Sequence, residues 1–288
     1  MNIKKLMCIV VAVFIIAPLL AISKIAIDNF EQVQVLNTIQ NMQTAALFQQ
    51  QRVAEVFNKK IEDIRNLVEE LSISENPDSL SEGEINYIHN SFVARCNNGD
   101  YTYGMRLYDK DNNIITAFEN EALGISDKIN FDVSSLKDVH ITDIYFSQSF
   151  NSIPYFYIVV PFFSQQGNYI GAISQTIGLG QFEEMLSNVN VFKTETESII
   201  DDANIRVVTD NKALESSEVG KEFAEGFAKE RRENIDHGTY RYSVGDEHYY
   251  CSYQSLRSYG WYYVLNISEE EIYLPINNIY RQMFIIIS

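Results

Sequence analysis

The sequence predicts an α+β fold: a long N-terminal spine helix carrying two antiparallel-sheet modules, flanked by membrane-spanning helices of which the second is cut short. Three observations predict it. Residues 25–72 contain no glycine or proline and repeat apolar side chains at helical spacing. Two later stretches, each a unit of roughly 90 residues, join strand-like runs through Asp/Asn and glycine turns. Both ends of the chain are apolar.

Residues 1–5 carry Lys4 and Lys5 and form the cytoplasmic N-terminus, by the excess of positive charge on that side of a membrane. Residues 6–24 follow as the first span. The uninterrupted run Leu6 to Ile22 sits at the short end of the roughly 17–25 residues that a bilayer core requires. The rival is a cleaved leader, since Ala21-Ile22-Ser23 resembles a small-x-small cleavage site, but the run exceeds the usual leader core of about 7–15 residues. Either reading exports the middle of the chain.

Residues 25–75 are the spine. Leu36, Ile39, Met42 and Ala46 form one stretch of its stripe; Val53, Val56, Phe57, Ile61, Ile64, Leu67, Val68 and Leu71 form another. At about 1.5 Å per residue the helix reaches on the order of 70 Å. Such a stripe requires a partner, either the modules downstream or a second copy, so a homodimer through the spine is expected. Pro77 then breaks the helix.

The first module spans 76–190. A short helix over 84–95 precedes a strand over 103–108, a turn at 109–113 and a returning strand over 114–118. An irregular stretch covers 119–138. Strands follow over 141–146, 155–163 and 169–177, the last pair joined through Gln165 to Asn168, a glycine-containing hairpin turn. The second module spans 191–267 and repeats the pattern in shorter form: strand, Asp/Asn turn and strand over 198–209, a helix over 223–232, then strands over 239–244, 248–256 and 261–267. Ser268 to Glu271 reads as a capping box, opening a linking helix over 268–282 with Pro275 inside it. Met283 to Ser288 begins a second span that the sequence cuts off.

Composition narrows function. The net charge of −17 argues against nucleic-acid binding, which needs clustered Lys and Arg. Cys8, Cys96 and Cys251 form no disulfide framework; Cys96 and Cys251 are expected as buried thiols. Asp109, Asp111 and Asn113 resemble a calcium loop, but Ile114 and Asn120 stand where such a loop needs Gly and Glu, so the stretch reads as a β-turn. The four histidines show no metal-type pairing. Nucleophile motifs and phosphate-binding glycine loops are absent. No catalytic residue, metal or cofactor is assigned.

With this order of elements, the chain resembles the double Cache family of extracytoplasmic sensor domains of bacterial chemoreceptors, sensor histidine kinases and diguanylate cyclases. The resemblance covers most of Ile25 to Ile279. It rests on the long first helix, the hairpin ending Gly167 to Ile177, and the closing run Gly260 to Ile267 before an acidic helix start. It implies PAS-like sheets, a ligand in the membrane-distal module, and a membrane-proximal module that passes the change to the second span. It places the protein in the cell (inner) membrane with its sensor region periplasmic or extracellular and its output domain beyond Ser288. The amino-acid-binding subfamily carries an Arg-x-Trp-Tyr run and an Asp. Here Lys128 to Ser134 (KINFDVS) stands in place of the first and Thr176 in place of the second, which disfavours a standard amino-acid receptor.

The candidate ligand residues follow. Ser174 and Thr176 share a strand face by the period-two rule, with Tyr145 expected across from them; hydroxyls beside aromatics suit a small polar ligand. Tyr157, Lys128 and Asp132 join them by location. The alternative reading is an adhesion or scaffolding ectodomain whose modules bind another protein.

Overall fold

The computed structural model describes residues 13–14, 17–71, 77–98, 101–120, 132–147, 153–186, 191–200, 206–209, 225–230, 232 and 236–287. Helix α1 (Ala17–Glu70) is the spine. It begins inside the stretch expected to cross the membrane and stops short of the expected residue 75. Among the described residues no helix is long and apolar enough to cross a membrane. Much of the first apolar run, residues 6–12 and 15–16, lies outside them.

A 3-10 turn at Pro77–Ser79 leads into α2 (Glu82–Asn98). Its start is a full capping box. The Ser81 N–H donates to Glu84 Oε2 at 2.7 Å, and the Glu84 N–H returns to Ser81 Oγ at 3.4 Å. The first sheet runs in the order β2-β1-β6-β5-β3, with β4 also paired to β5. Its strands are β1 (Thr102–Tyr108), β2 (Ile114–Glu119), β3 (His140–Ile141), β4 (Tyr145–Phe146), β5 (Pro154–Phe163) and β6 (Tyr169–Gly178). The strand expected over 141–146 is two short pairings instead. Thr142 breaks it by turning its hydroxyl to the Asp143 carbonyl while accepting the Tyr157 N–H.

The β1–β2 link is a side-chain-capped turn. One Asp109 carboxylate oxygen accepts the N–H groups of Asp111 and Asn113 at 2.9 and 2.7 Å, and Asn112 adopts a positive φ of 67°. A helix absent from the sequence reading, α3 (Gly180–Leu186), follows β6. It buries Phe182 and Leu186 on the spine side of the sheet.

The second sheet runs β8-β7-β11-β10-β9, from β7 (Thr196–Ile200), β8 (Arg206–Thr209), β9 (His237–Val244), β10 (Glu247–Leu256) and β11 (Trp261–Ser268). The Asp/Asn turn expected at 201–204 lies outside the described residues. Residues 225–230 are helical and seat Phe227 on the face away from the spine. Helix α4 (Glu269–Ile287) closes the chain with Pro275 inside it. Cys251 is buried, Cys96 is half-buried, and neither is in a disulfide among the described residues. Burial pushes the Cys96 thiol up to about 12.

Both sheets turn one face toward α1, and the three elements share a continuous core. Phe57 stands at its centre. Its ring lies 5.8 Å from Phe156 and 5.3 Å from Phe182 in the first module, and 5.3 Å from Trp261 and 4.7 Å from Tyr259 in the second. Phe156 also meets Trp261 directly at 4.9 Å. Spine contacts to the second sheet are otherwise rich in amides. Gln43 donates to Thr239, Gln49 to Glu197 and Gln50 to the Ser255 carbonyl.

Phe57→Ala is therefore expected to destabilise the chain by about 3–5 kcal/mol. Denaturant unfolding followed through Trp261 fluorescence measures this. A loss below about 1 kcal/mol would remove Phe57 from the centre of the fold.

Candidate functional site

The face of the first sheet turned away from the spine holds the candidate site. Strand register places its members. Thr176 lies opposite both Gly104 and Tyr157, and Ser174 lies opposite both Arg106 and Val159. Because β6 is flanked by β1 and β5, these pairs form two adjacent rows across one face. Tyr108, Tyr155, Val159 and Ala172 are buried around them, with Tyr145 and Tyr169 at the margin. Both faces of β5 and β6 are covered, which explains why these strands read as apolar runs without clean alternation.

Structure brings four of the six expected residues together here: Tyr145, Tyr157, Ser174 and Thr176. Tyr145 stacks on Tyr155 at 5.9 Å and tilts against Tyr157 at 5.7 Å, while Tyr155 and Tyr157 meet edge to face at 5.6 Å. The Ser174 and Thr176 hydroxyls are buried, with no hydrogen-bond partner among the described residues. Asp132 takes a different part. Its carboxylate caps the 3-10 turn Val133–Ser135 by accepting the Ser134 N–H and hydroxyl at 2.9 and 2.7 Å. It is exposed at the margin, where its charge adds to the burial that raises the Tyr169 phenol. Lys128 lies outside the described residues.

Sequence reasoning missed the strongest charged group of this face. Arg106 on β1 is only 2% exposed. Its guanidinium pairs with the Glu119 carboxylate, hydrogen-bonds the Tyr108 side chain and lies 5.6 Å from the Tyr157 ring centroid. Burial opposes the Arg106 charge, yet Glu119, with Tyr108 and Tyr157, outweighs it and the net shift is upward. Burial likewise raises the Tyr157 phenol, with Arg106 pulling the other way. Gly104 makes the pairing possible. A Cβ there would come within 2.8 Å of Glu119 Cγ and 2.9 Å of the Phe118 carbonyl oxygen. The available sequence signal was a single arginine between apolar neighbours in a strand, two residues after a glycine.

A face with a matched ion pair, a wall of tyrosines and two buried hydroxyls can hold a small polar molecule through a few directional bonds. Among the described residues no group of three or more His, Cys, Asp or Glu side chains is placed to hold a metal ion. The Cache domain family model matches residues 29–276, most of the chain. The chain belongs to the Cache domain family. Solved Cache-like relatives agree in fold. The sensory domain of the Campylobacter jejuni chemoreceptor Tlp3 with isoleucine bound is 13% identical, with a TM-score of 0.61, covering 84% of this chain and 97% of its own. The ligand-binding domain of Mlp24 with asparagine is 15% identical, with a TM-score of 0.56, covering 84% and 98%. The extracellular domain of the putative histidine kinase mmHK1S-Z3 is 13% identical, with a TM-score of 0.61 and the same coverage of 84% and 98%. No curated protein matches the chain in sequence.

Removing Arg106 from this Cache domain would strand a half-buried carboxylate. Arg106→Ala is expected to cost about 3–5 kcal/mol in chemical denaturation, and the double change Arg106→Met with Glu119→Leu much less. Equal losses in the two variants would show that the pair is not the source of the effect.

Proposed function

We propose that this chain is the extracytoplasmic sensor region of a bacterial transmembrane receptor and binds a small polar ligand on the outer face of its first, membrane-distal sheet. The observation that carries the reading is the pair of buried hydroxyls, Ser174 and Thr176, without hydrogen-bond partners among the described residues. They lie beside Arg106 and a tyrosine wall. Burying hydroxyls without partners is unfavourable, and a ligand supplying acceptors or donors there removes that penalty. Membership of the Cache family and the amino acids named with Tlp3 and Mlp24 support a small-molecule ligand. The amino-acid run is missing from this sequence, which disfavours a standard amino-acid ligand.

Leu6 to Ile22 and the run from Met283 are read as the two membrane spans, with the sensor modules outside the inner membrane. Ligand occupancy selects one of two arrangements of sheet and spine, and only a difference in affinity between them moves the equilibrium. Helix α4 carries the change toward the second span and an output domain. The spine exposes Phe30, Val33, Leu36, Leu47 and Phe48, the face assigned to pairing with a second copy. Sedimentation of the chain in detergent as a monomer would remove that assignment.

A thermal-shift panel on the 288-residue chain in detergent tests the function, using organic acids, amines, amino acids, sugars and purines. A ligand at about 100 times its dissociation constant stabilises by about 2.7 kcal/mol, a rise on the order of 5–10 °C for a chain of this size. The shift is expected to vanish in Thr176→Val and to weaken in Ser174→Ala. A shift that survives both variants would move the ligand elsewhere. No shift across the panel would overturn the small-molecule reading in favour of a protein partner.

A further inference from the structure

The junction between the two modules holds a second cluster that the ligand reading does not use. The segment Val191 to Thr196, which connects the sheets, is gripped from two sides. Glu195 turns back on it, and its Oε2 accepts the N–H groups of Val191 and Phe192 at 2.6 and 2.7 Å. Glu271, in the first turn of α4, accepts the N–H groups of Lys193 and Thr194, both at 2.7 Å, and the Thr194 hydroxyl at 2.5 Å. Ser268 completes the grip by donating its N–H to Thr194 Oγ1 at 3.1 Å. Only half of the capping box expected at Ser268 to Glu271 therefore forms. The Glu271 N–H reaches Ser268 Oγ at 3.3 Å, but the Glu271 carboxylate is spent on the connector.

Two residues beyond Glu195, Glu197 points from β7 toward the spine and is fully buried. Gln49 of α1 donates Nε2 to its Oε1 at 3.0 Å. Gln49 is itself held by Arg52, whose Nη1 donates to Gln49 Oε1 at 2.8 Å. Tyr263 from β11 and the carboxyl of Glu195 are its other hydrogen-bonding neighbours. Among the described residues, the ionisable groups facing Glu197 are thus Glu195 from the connector and Tyr263 from β11. Arg52 of α1 stands one link away.

Two carboxyl groups can share a hydrogen bond only when one holds a proton. Glu195 already accepts two backbone N–H groups of the connector. Glu197 is fully buried, and burial penalises its charged form. We propose that Glu197 and Glu195 form a proton-binding site at the module junction, giving the receptor a second input, external pH, that acts on the connector and on α4 independently of the ligand. With the proton on Glu197, Gln49, Glu197 and Glu195 tie spine, sheet and connector together. When that proton leaves to bulk water, two buried carboxylates face each other and the tie loosens. Glu271 and Ser268 then carry the displacement of the connector into the start of α4.

Burial, with Glu195 adding to it against Tyr263 and Gln49, pushes the Glu197 carboxyl up to about 8. The folded-state value lies above the ordinary 4.5. The associated stability is complete below the ordinary value and is lost as pH rises through about 8.

Trp261, the single tryptophan, is buried against Phe57 and reports the packing of spine on sheet. Its emission in the 288-residue chain in detergent should change between about pH 6 and pH 9, with a midpoint near 8. Glu197→Gln should abolish the transition, and Glu195→Gln should move its midpoint downward. A wild-type emission flat over that range, or the same transition in Glu197→Gln, would overturn the proposal. If Glu197→Gln does not fold, infrared spectroscopy of the wild-type chain decides. A protonated carboxyl band present at neutral pH and lost by about pH 9 supports the site, and its absence at neutral pH sinks it.

Discussion

Phe57 is the point on which both sheets rest. One ring from the spine touches aromatic side chains of each module, and Phe156 meets Trp261 across it. An aromatic cluster of this kind is stiff, because each ring has few low-energy positions once its neighbours are fixed. The two modules therefore do not hang independently from the helix. A shift of β5, whose outer face carries Tyr155 and Tyr157, presses through its inner residue Phe156 on Trp261 of β11. The site and the second sheet are thus linked by a single layer of packed rings.

Around that apolar hinge, polar groups are buried in matched sets. Arg106 and Glu119 neutralise each other on the outer face of the first sheet, with Gly104 leaving room for the carboxylate to cross. Replacing a charge by a neutral pair keeps the face polar without leaving a net charge in a poorly solvated place. Beside the pair, the buried Ser174 and Thr176 hydroxyls have no hydrogen-bond partner among the described residues. The second sheet solves a similar problem differently. There Gln49 carries the hydrogen bonding from the spine, and Glu195 and Glu197 meet where the chain passes from one module to the other.

The connector gives these two regions a common outlet. Residues 191–196 follow the first module, feed β7, and are bonded to the first turn of α4 through Glu271 and Ser268. Displacements from either sheet converge on the same helix start. Under the proposed function, coupling between the first module and α4 requires only that the two ends prefer the same arrangement of the spine and sheets. No motion of the long helix along its own axis is required.

Local patterning carries the order of elements. Helical spacing over 25–72, the Asp109 turn, the glycine hairpin at 167 and the strand runs of both modules are local signals, and each was found within a few residues of its place. Local signals failed where a side chain interrupts its own strand, as Thr142 does between β3 and β4, and where a short helix such as α3 packs Phe182 against Phe57. Ser174 and Thr176 were legible as a pair because strand alternation puts them on one face, whereas Tyr145 came from the resemblance and Tyr157 from location alone, and strand pairing set Tyr157 opposite Thr176. The charged partners are set by the folded arrangement. Arg106 meets Glu119 through strand pairing, and Glu197 meets Gln49 across 148 residues of chain. In a sequence with 39 acidic residues, no spacing marks which carboxylates will be buried. Burial is set by what the folded chain lays over a residue, and that is information no local pattern contains.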